Sequence, residues 1–150
     1  MKAFLDTNVV LDFVCKRELF FEDASKIFVL HEQGEIECVI SALTIINSAY
    51  IMRKIFQKSE IATVIEWLCD KFSVSPISRG TILEAVQKDS FDFEDTIQYY
   101  SALPYQPDVI ITRDKKGFSD LDILVMTPAE FIERSRDRSM PSPVSPEFGF

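Results

Sequence analysis

The chain has 150 residues, 47% of them hydrophobic and 13 of them Phe, which suits one packed domain and excludes a disordered polymer. A formal net charge of −8 disfavours a broad nucleic-acid-binding face built on phosphate neutralisation, yet leaves room for local contacts and for an acidic cluster that a divalent cation makes tolerable. No apolar run is long enough to span a bilayer, and Asp6 and Asp12 follow Met1-Lys2 too soon for a secretory leader, so a cytoplasmic protein is expected.

The predicted elements alternate. A short apolar strand around Phe4 leads into a helix from Thr7 to about Val14, and a helical period over Phe20–Gln33 stops at Gly34. The β-branched run Ile36–Ile40 reads as a strand, after which Ser41 caps a helix from about Ala42 to Phe56. A further helix spans roughly Ser59–Lys71, a short strand Phe72–Ile77, and two helices Arg79–Lys88 and Phe93–Leu103. Pro104 and Pro107 interrupt the chain before the continuous apolar strand Val109–Ile111. A last strand is expected over Ile123–Met126, and Pro128 opens a short helix with Phe131 and Ile132 inward. Strands separated by helices imply a three-layer α/β/α fold around a central parallel sheet. From Ser135 the composition turns Pro/Ser-rich, so residues 1–134 are expected as the domain and 135–150 as a flexible tail.

Cys15, Cys38 and Cys69 are odd in number and widely spaced within apolar patterns, which reads as reduced core thiols and neither zinc ligands nor a disulfide frame. His31 is the sole histidine and sits in a helical pattern, so it reads as a surface or half-buried helix residue. The acids are more informative. Asp6 ends the first strand, where an open α/β sheet binds its ligands, although Asp is also an ordinary helix N-cap. Asp95 falls in the first turn of the helix before Val109–Ile111, and Asp114 directly after that strand, so both can face Asp6 across one crevice. Converging carboxylates repel unless a cation separates them, and Mg²⁺ prefers oxygen ligands. Asp92 and Glu94 read as first-turn acids that complement the helix dipole.

Four segments, taken together, carry a resemblance: Leu5–Asp12, Ser41–Thr44, Asp92–Tyr99 and Ile111–Phe118. In order and spacing they resemble the PIN-domain family, and Thr127–Phe131 is similar to the last helix of its VapC-like toxin branch. The resemblance implies a metal-dependent endoribonuclease that hydrolyses RNA phosphodiester bonds, as the toxin of a toxin–antitoxin pair. It implies Mg²⁺ or Mn²⁺ held by Asp6, Asp95 and Asp114, with Thr7, Asn8 and Thr112 supporting the ligands or contacting the scissile phosphate. Arg113, Lys115 and Lys116 are either phosphate contacts or an exposed basic turn. Asn47 stands where many PIN nucleases carry Glu, so the site keeps an amide in place of one charge, and a second metal is disfavoured. Gly117 lies where some relatives carry an acid, which leaves Asp114 as the ligand of that segment.

Two other readings stay open. A catalytically weakened PIN fold that binds RNA or protein is favoured by Asn47; a phosphatase-like enzyme with Asp6 as nucleophile is disfavoured by Asn at position 8. The implied partners are RNA, a protein antitoxin and a second copy of the chain. The last is also suggested by the apolar excess at Ile45, Ile46, Tyr50, Ile51, Ile55, Ile61, Ile65 and Trp67, which a core role explains equally well.

Overall fold

A computed structural model describes residues 1–136 and 144–150. Strand β1 (Lys2–Leu5) lies at the centre of the sheet, paired with β2 (Glu37–Ser41) on one side and β4 (Val109–Ile111) on the other. The short strands β3 (Ser73–Ser75) and β5 (Val125–Met126) complete the order β3-β2-β1-β4-β5, every pair parallel. Ala3, Phe4 and Leu5 face Val109, Ile110 and Ile111 across the β1–β4 ladder, so the two strands end level with each other.

Alternation along these strands divides the interior into two layers. Ala3, Leu5, Cys38, Ile40, Val109 and Ile111 pack on one face against α1 (Thr7–Val14), α2 (Phe21–Glu32), α3 (Ala42–Met52), α4 (Lys58–Lys71) and α7 (Pro128–Arg134). Phe4, Val39 and Ile110 point to the other face, where Ala102 of α6 (Phe93–Ala102), Phe118 and Leu121 cover them. Helix α5 (Arg79–Lys88) precedes α6 and buries only Ala85. Strands buried on both faces lose the polar alternation of a half-exposed sheet, which is why their sequences read as unbroken apolar runs. The larger layer is anchored by stacked rings, Phe13 on Phe28 at 3.9 Å between centroids, with Phe72 edge-on to Phe28 at 5.0 Å.

Several boundaries differ from expectation for identifiable reasons. Helix α3 ends at Met52 and not near Phe56, because the chain tightens into a turn in which the Lys54 and Ile55 N–H groups donate three residues back, to the Ile51 and Met52 carbonyls at 3.2 and 2.9 Å. Strand β5 is two residues long, and β3 stops at Ser75 ahead of Pro76. Only Cys38 is a fully buried thiol; Cys15 is half-buried and Cys69 exposed, and all three are free. His31 is half-buried, its Nε2 2.8 Å from the Lys71 carbonyl and its ring stacked on Phe72, so it joins α2 to α4.

The expected tail lies partly outside the described residues. Of the rest, residues 144–150 return to the domain: Ser25 Oγ donates to the Val144 carbonyl at 2.6 Å, and Phe148 meets Trp67 edge-on at 5.3 Å. Two phenylalanines carry that contact, an apolar contribution that the Pro/Ser composition conceals. No described helix is long and apolar enough to cross a membrane.

Candidate metal centre

Because β1 and β4 end level, the residues that follow them, Asp6 and Thr112, emerge side by side at the carboxyl edge of the sheet. The Asp6 N–H extends the ladder by donating to the Ile111 carbonyl at 3.0 Å. Its side chain is only 7% exposed and both oxygens are fully engaged. Oδ1 accepts from the Thr7 N–H at 2.7 Å and from Gln98 Nε2 at 3.2 Å; Oδ2 accepts from Thr112 Oγ1 at 2.8 Å and Asn8 Nδ2 at 3.1 Å. Asp6 therefore caps α1 and also forms the floor of a crevice, so the two sequence readings of this residue coexist in one side chain.

The supporting residues connect four segments. Asn8 joins the start of α1 to the end of β4, donating to Asp6 and to Thr112 Oγ1 while its Oδ1 accepts from the Arg113 N–H at 3.1 Å. Thr112 Oγ1 also accepts from the Asp114 N–H at 3.1 Å, and Asp114 Oδ1 accepts from the Lys116 N–H at 3.2 Å, capping a 3-10 turn over Lys115–Phe118. Thr7 Oγ1 lies 3.0 Å from Thr44 Oγ1 on α3. At the centre is Gln98, fully buried on α6, whose Nε2 reaches Asp6 and Thr44 Oγ1 and whose Oε1 accepts from Ser41 Oγ. Sequence reading assigned Gln98 no role. The available signal was its place three residues after Asp95, on the same helical face, where a buried amide requires partners.

The rim is acidic. Asp92 Oδ1 accepts from the Asp95 N–H at 3.0 Å, so Asp92 is the N-cap of α6 and stands just before its first turn, where Glu94 and Asp95 lie. Asp6, Asp92, Glu94, Asp95 and Asp114 line a single crevice together with Asn8, Asn47 and Arg17. Among the described residues none of these five acids has an ion-pair partner. Burial pushes the Asp6 carboxyl above its ordinary value, Asp114 adds repulsion, and the donors Thr112, Thr7 and Gln98 oppose the rise. Asp95 is pushed up to about 8, first by burial and then by the charges of Asp6, Asp92, Asp114 and Glu94. The crevice thus holds more acidic groups than it can keep ionised together without a cation, and Asp95 retains its proton near neutral pH.

Among the described residues no three or more His, Cys, Asp or Glu side chains are grouped so as to hold a metal ion. A hard divalent ion still fits the donor set, because Mg²⁺ is typically held by one or two carboxylates and keeps several of its waters. The backbone is shaped to admit the acid on α6: a Cβ on Gly117 would lie 1.6 Å from Asp95 Oδ2 and 2.7 Å from its Cγ. Glycine at 117 thus does more than lack an acid; it is what lets the Asp95 carboxylate sit over the 3-10 turn.

The basic residues are less available than expected. Arg113 does not line the crevice. Its Nε and a terminal nitrogen grip the fully buried Asp12 carboxylate at 2.6 and 3.1 Å, and its guanidinium lies 3.9 Å over the Phe20 ring. Burial raises the Asp12 pKa, opposed by Arg113 and by Arg17 at 3.6 Å. A buried carboxylate needs such a partner, and sequence spacing alone does not reveal the partner's identity. Lys115 Nζ pairs with Glu130 at 2.9 Å in an exposed bridge that is cheap to open, and Lys116 lies 4.8 Å over Phe91. Asn47 Nδ2 donates to Glu94 Oε1 at 2.8 Å.

Two outcomes follow for these residues. Arg113→Ala is expected to cost about 3 kcal/mol in denaturant unfolding, the lower part of the range for stranding a buried charge, since Arg17 stays beside Asp12; an unchanged midpoint would refute the clamp. Gly117→Ala is expected to keep the fold but weaken Mn²⁺ binding about 10–100-fold in calorimetry, as displaced supports of a metal ligand do.

Comparison with known proteins agrees with this architecture. A PIN domain profile matches residues 2–116. Ribonuclease VapC1 of Aquifex aeolicus is 26% identical over 138 residues, covering 89% of this chain and 94% of that protein. A toxin–antitoxin complex from Klebsiella pneumoniae contains a chain with TM-score 0.62 at 22% identity, covering 84% of this chain and 97% of its own. FitAcB from Neisseria gonorrhoeae gives TM-score 0.59 at 16% identity, with 85% and 98% covered. With the parallel sheet, the acidic crevice at its carboxyl edge and a profile match over most of its length, the chain belongs to the PIN-domain family.

Proposed function

We propose that the protein is a divalent-metal-dependent endoribonuclease acting as the toxin of a toxin–antitoxin pair in the cytoplasm. The observation that carries this reading is the crevice lined by Asp6, Asp95 and Asp114, none of which has an ion-pair partner among the described residues, with the Asp95 carboxylate seated where a side chain at 117 would displace it. It is supported by similarity to a protein named as a ribonuclease and to a chain from a toxin–antitoxin complex.

In this reading Asp6, Asp95 and Asp114 hold Mg²⁺ or Mn²⁺. A bound divalent ion supplies Lewis-acid polarisation of a phosphoryl oxygen and acidification of water for in-line attack. The chain's own contribution is orientation. Asp6 is held at the crevice floor by four donors, Thr7, Asn8, Thr112 and Gln98, which fix its position, and one of them yields when an Asp6 oxygen turns to the ion. Lys115, once released from Glu130, and Arg17 at the crevice wall are proposed to contact the RNA phosphates. Arg113 is proposed to act by holding the β4 end to α1 through Asp12.

With Mn²⁺ or Mg²⁺ the purified protein is expected to cut RNA, and Asp6→Asn to lower the rate by at least about 100-fold. Expression should arrest growth, and the same substitution relieve it. Absence of cleavage with Mn²⁺, together with growth arrest that Asp6→Asn leaves unchanged, would overturn the proposal in favour of a PIN fold that only binds.

A homodimer is proposed through α3 and the turn that follows it, where Ile46, Tyr50 and Ile55 are 65, 64 and 60% exposed. Of the remaining apolar residues of α3 and α4, Ile61 is buried in the core and Ile45, Ile51, Ile65 and Trp67 are partly buried against it, so the excess is narrower than the sequence implied. Sedimentation should show a dimer that Ile46→Glu converts to a monomer; a monomer without the substitution would refute it.

A further inference from the structure

The departure at position 47 has a structural counterpart on another helix. Asn47 faces α6 from α3, and its Nδ2 donates to Glu94 Oε1 at 2.8 Å. Both residues line the crevice that contains Asp6, Asp95 and Asp114. We infer that Glu94 supplies the fourth acidic wall of the metal crevice, with Asn47 as its positioning residue, so that the charge missing from α3 is carried by α6. The inference rests on the metal-dependent reading above and assigns this one chain's own residues within it.

Two observations argue for it. First, a carboxylate at 47 would bring two anionic oxygens to the distance now spanned by a hydrogen bond, so Glu94 and an acid at 47 exclude each other without a cation between them. The amide turns that repulsion into attraction and selects one orientation of Glu94. Second, Asn47 occupies only one Glu94 oxygen, and no Lys or Arg pairs with Glu94 among the described residues, so its charge stays unneutralised. A first-turn Glu that only complemented its helix dipole would need no partner on a neighbouring helix.

Mn²⁺ alone, titrated by calorimetry into the full chain, tests this. Glu94→Gln is expected to weaken Mn²⁺ binding about tenfold, within the range for losing a group that orients or supports a metal ligand, and Asn47→Ala several-fold. The exchange variant carrying Asn47→Glu with Glu94→Gln is expected to return to within about twofold of the parent, since it moves the charge back to α3 and keeps an amide–carboxylate pair. Glu94→Gln binding Mn²⁺ as tightly as the parent overturns the assignment of Glu94. Weak binding in Glu94→Gln that the exchange variant does not restore overturns the equivalence of the two positions. A parent chain that binds no Mn²⁺ at millimolar concentration overturns the metal-dependent reading itself, a result distinct from either. Thermal melting of each variant separates lost affinity from lost fold.

Discussion

The structure depends on keeping one carboxylate, that of Asp6, out of water at the end of the central strand. Removing an ion from solvent is costly unless every oxygen finds donors, and here four donors come from three different segments: Thr7 and Asn8 on α1, Thr112 after β4, and Gln98 on α6. Each donor is itself held by another group. Asn8 accepts from the Arg113 backbone, Gln98 accepts from Ser41, and Thr7 meets Thr44, so the requirement at Asp6 spreads to β2 and α3. Level strand ends, set by the β1–β4 register, make this convergence possible.

The same crevice has a satisfied floor and an unsatisfied rim. Asp6 is hydrogen-bonded on both oxygens, whereas Asp95 and Asp114 have no ion-pair partner among the described residues and Asp95 is pushed up to about 8, the mark of acids crowded without a cation. A purely structural polar network would be balanced throughout, because imbalance in a partly buried place is costly. The cations that could balance it are engaged elsewhere: Arg113 by the buried Asp12, Lys115 by Glu130. An imbalance kept in one place while neighbouring charges are paired marks where a ligand of opposite sign belongs.

Legibility in the sequence followed the range of the forces involved. Asp6, Asp95 and Asp114 were readable because each sits at a strand or helix end, and local chain direction places such positions at one edge of a parallel sheet. Asp92 was readable as a cap, since its partner is three residues away. Gln98 was not, because its partners at Asp6, Thr44 and Ser41 lie 92, 54 and 57 residues distant. Arg113 looked like a phosphate contact by adjacency to Asp114, and only the burial of Asp12, 101 residues earlier, shows that its charge is committed. Glu94 read as a dipole acid because Asn47 is nowhere near it in the chain.

By itself the sequence determined the alternation of strands and helices, the parallel sheet, and the acids at its carboxyl edge, since these follow from periodicity, capping and chain direction over a few residues. Tertiary structure decided which polar groups are partners: which base neutralises Asp12, which amide locks Asp6, and why a side chain at 117 would displace the Asp95 carboxylate. The physical reason is that burial creates those requirements. An isolated segment leaves Asp12, Gln98 and Gly117 in water, where none of them needs a particular neighbour; packing the helices onto the sheet removes that water and makes each choice of partner obligatory.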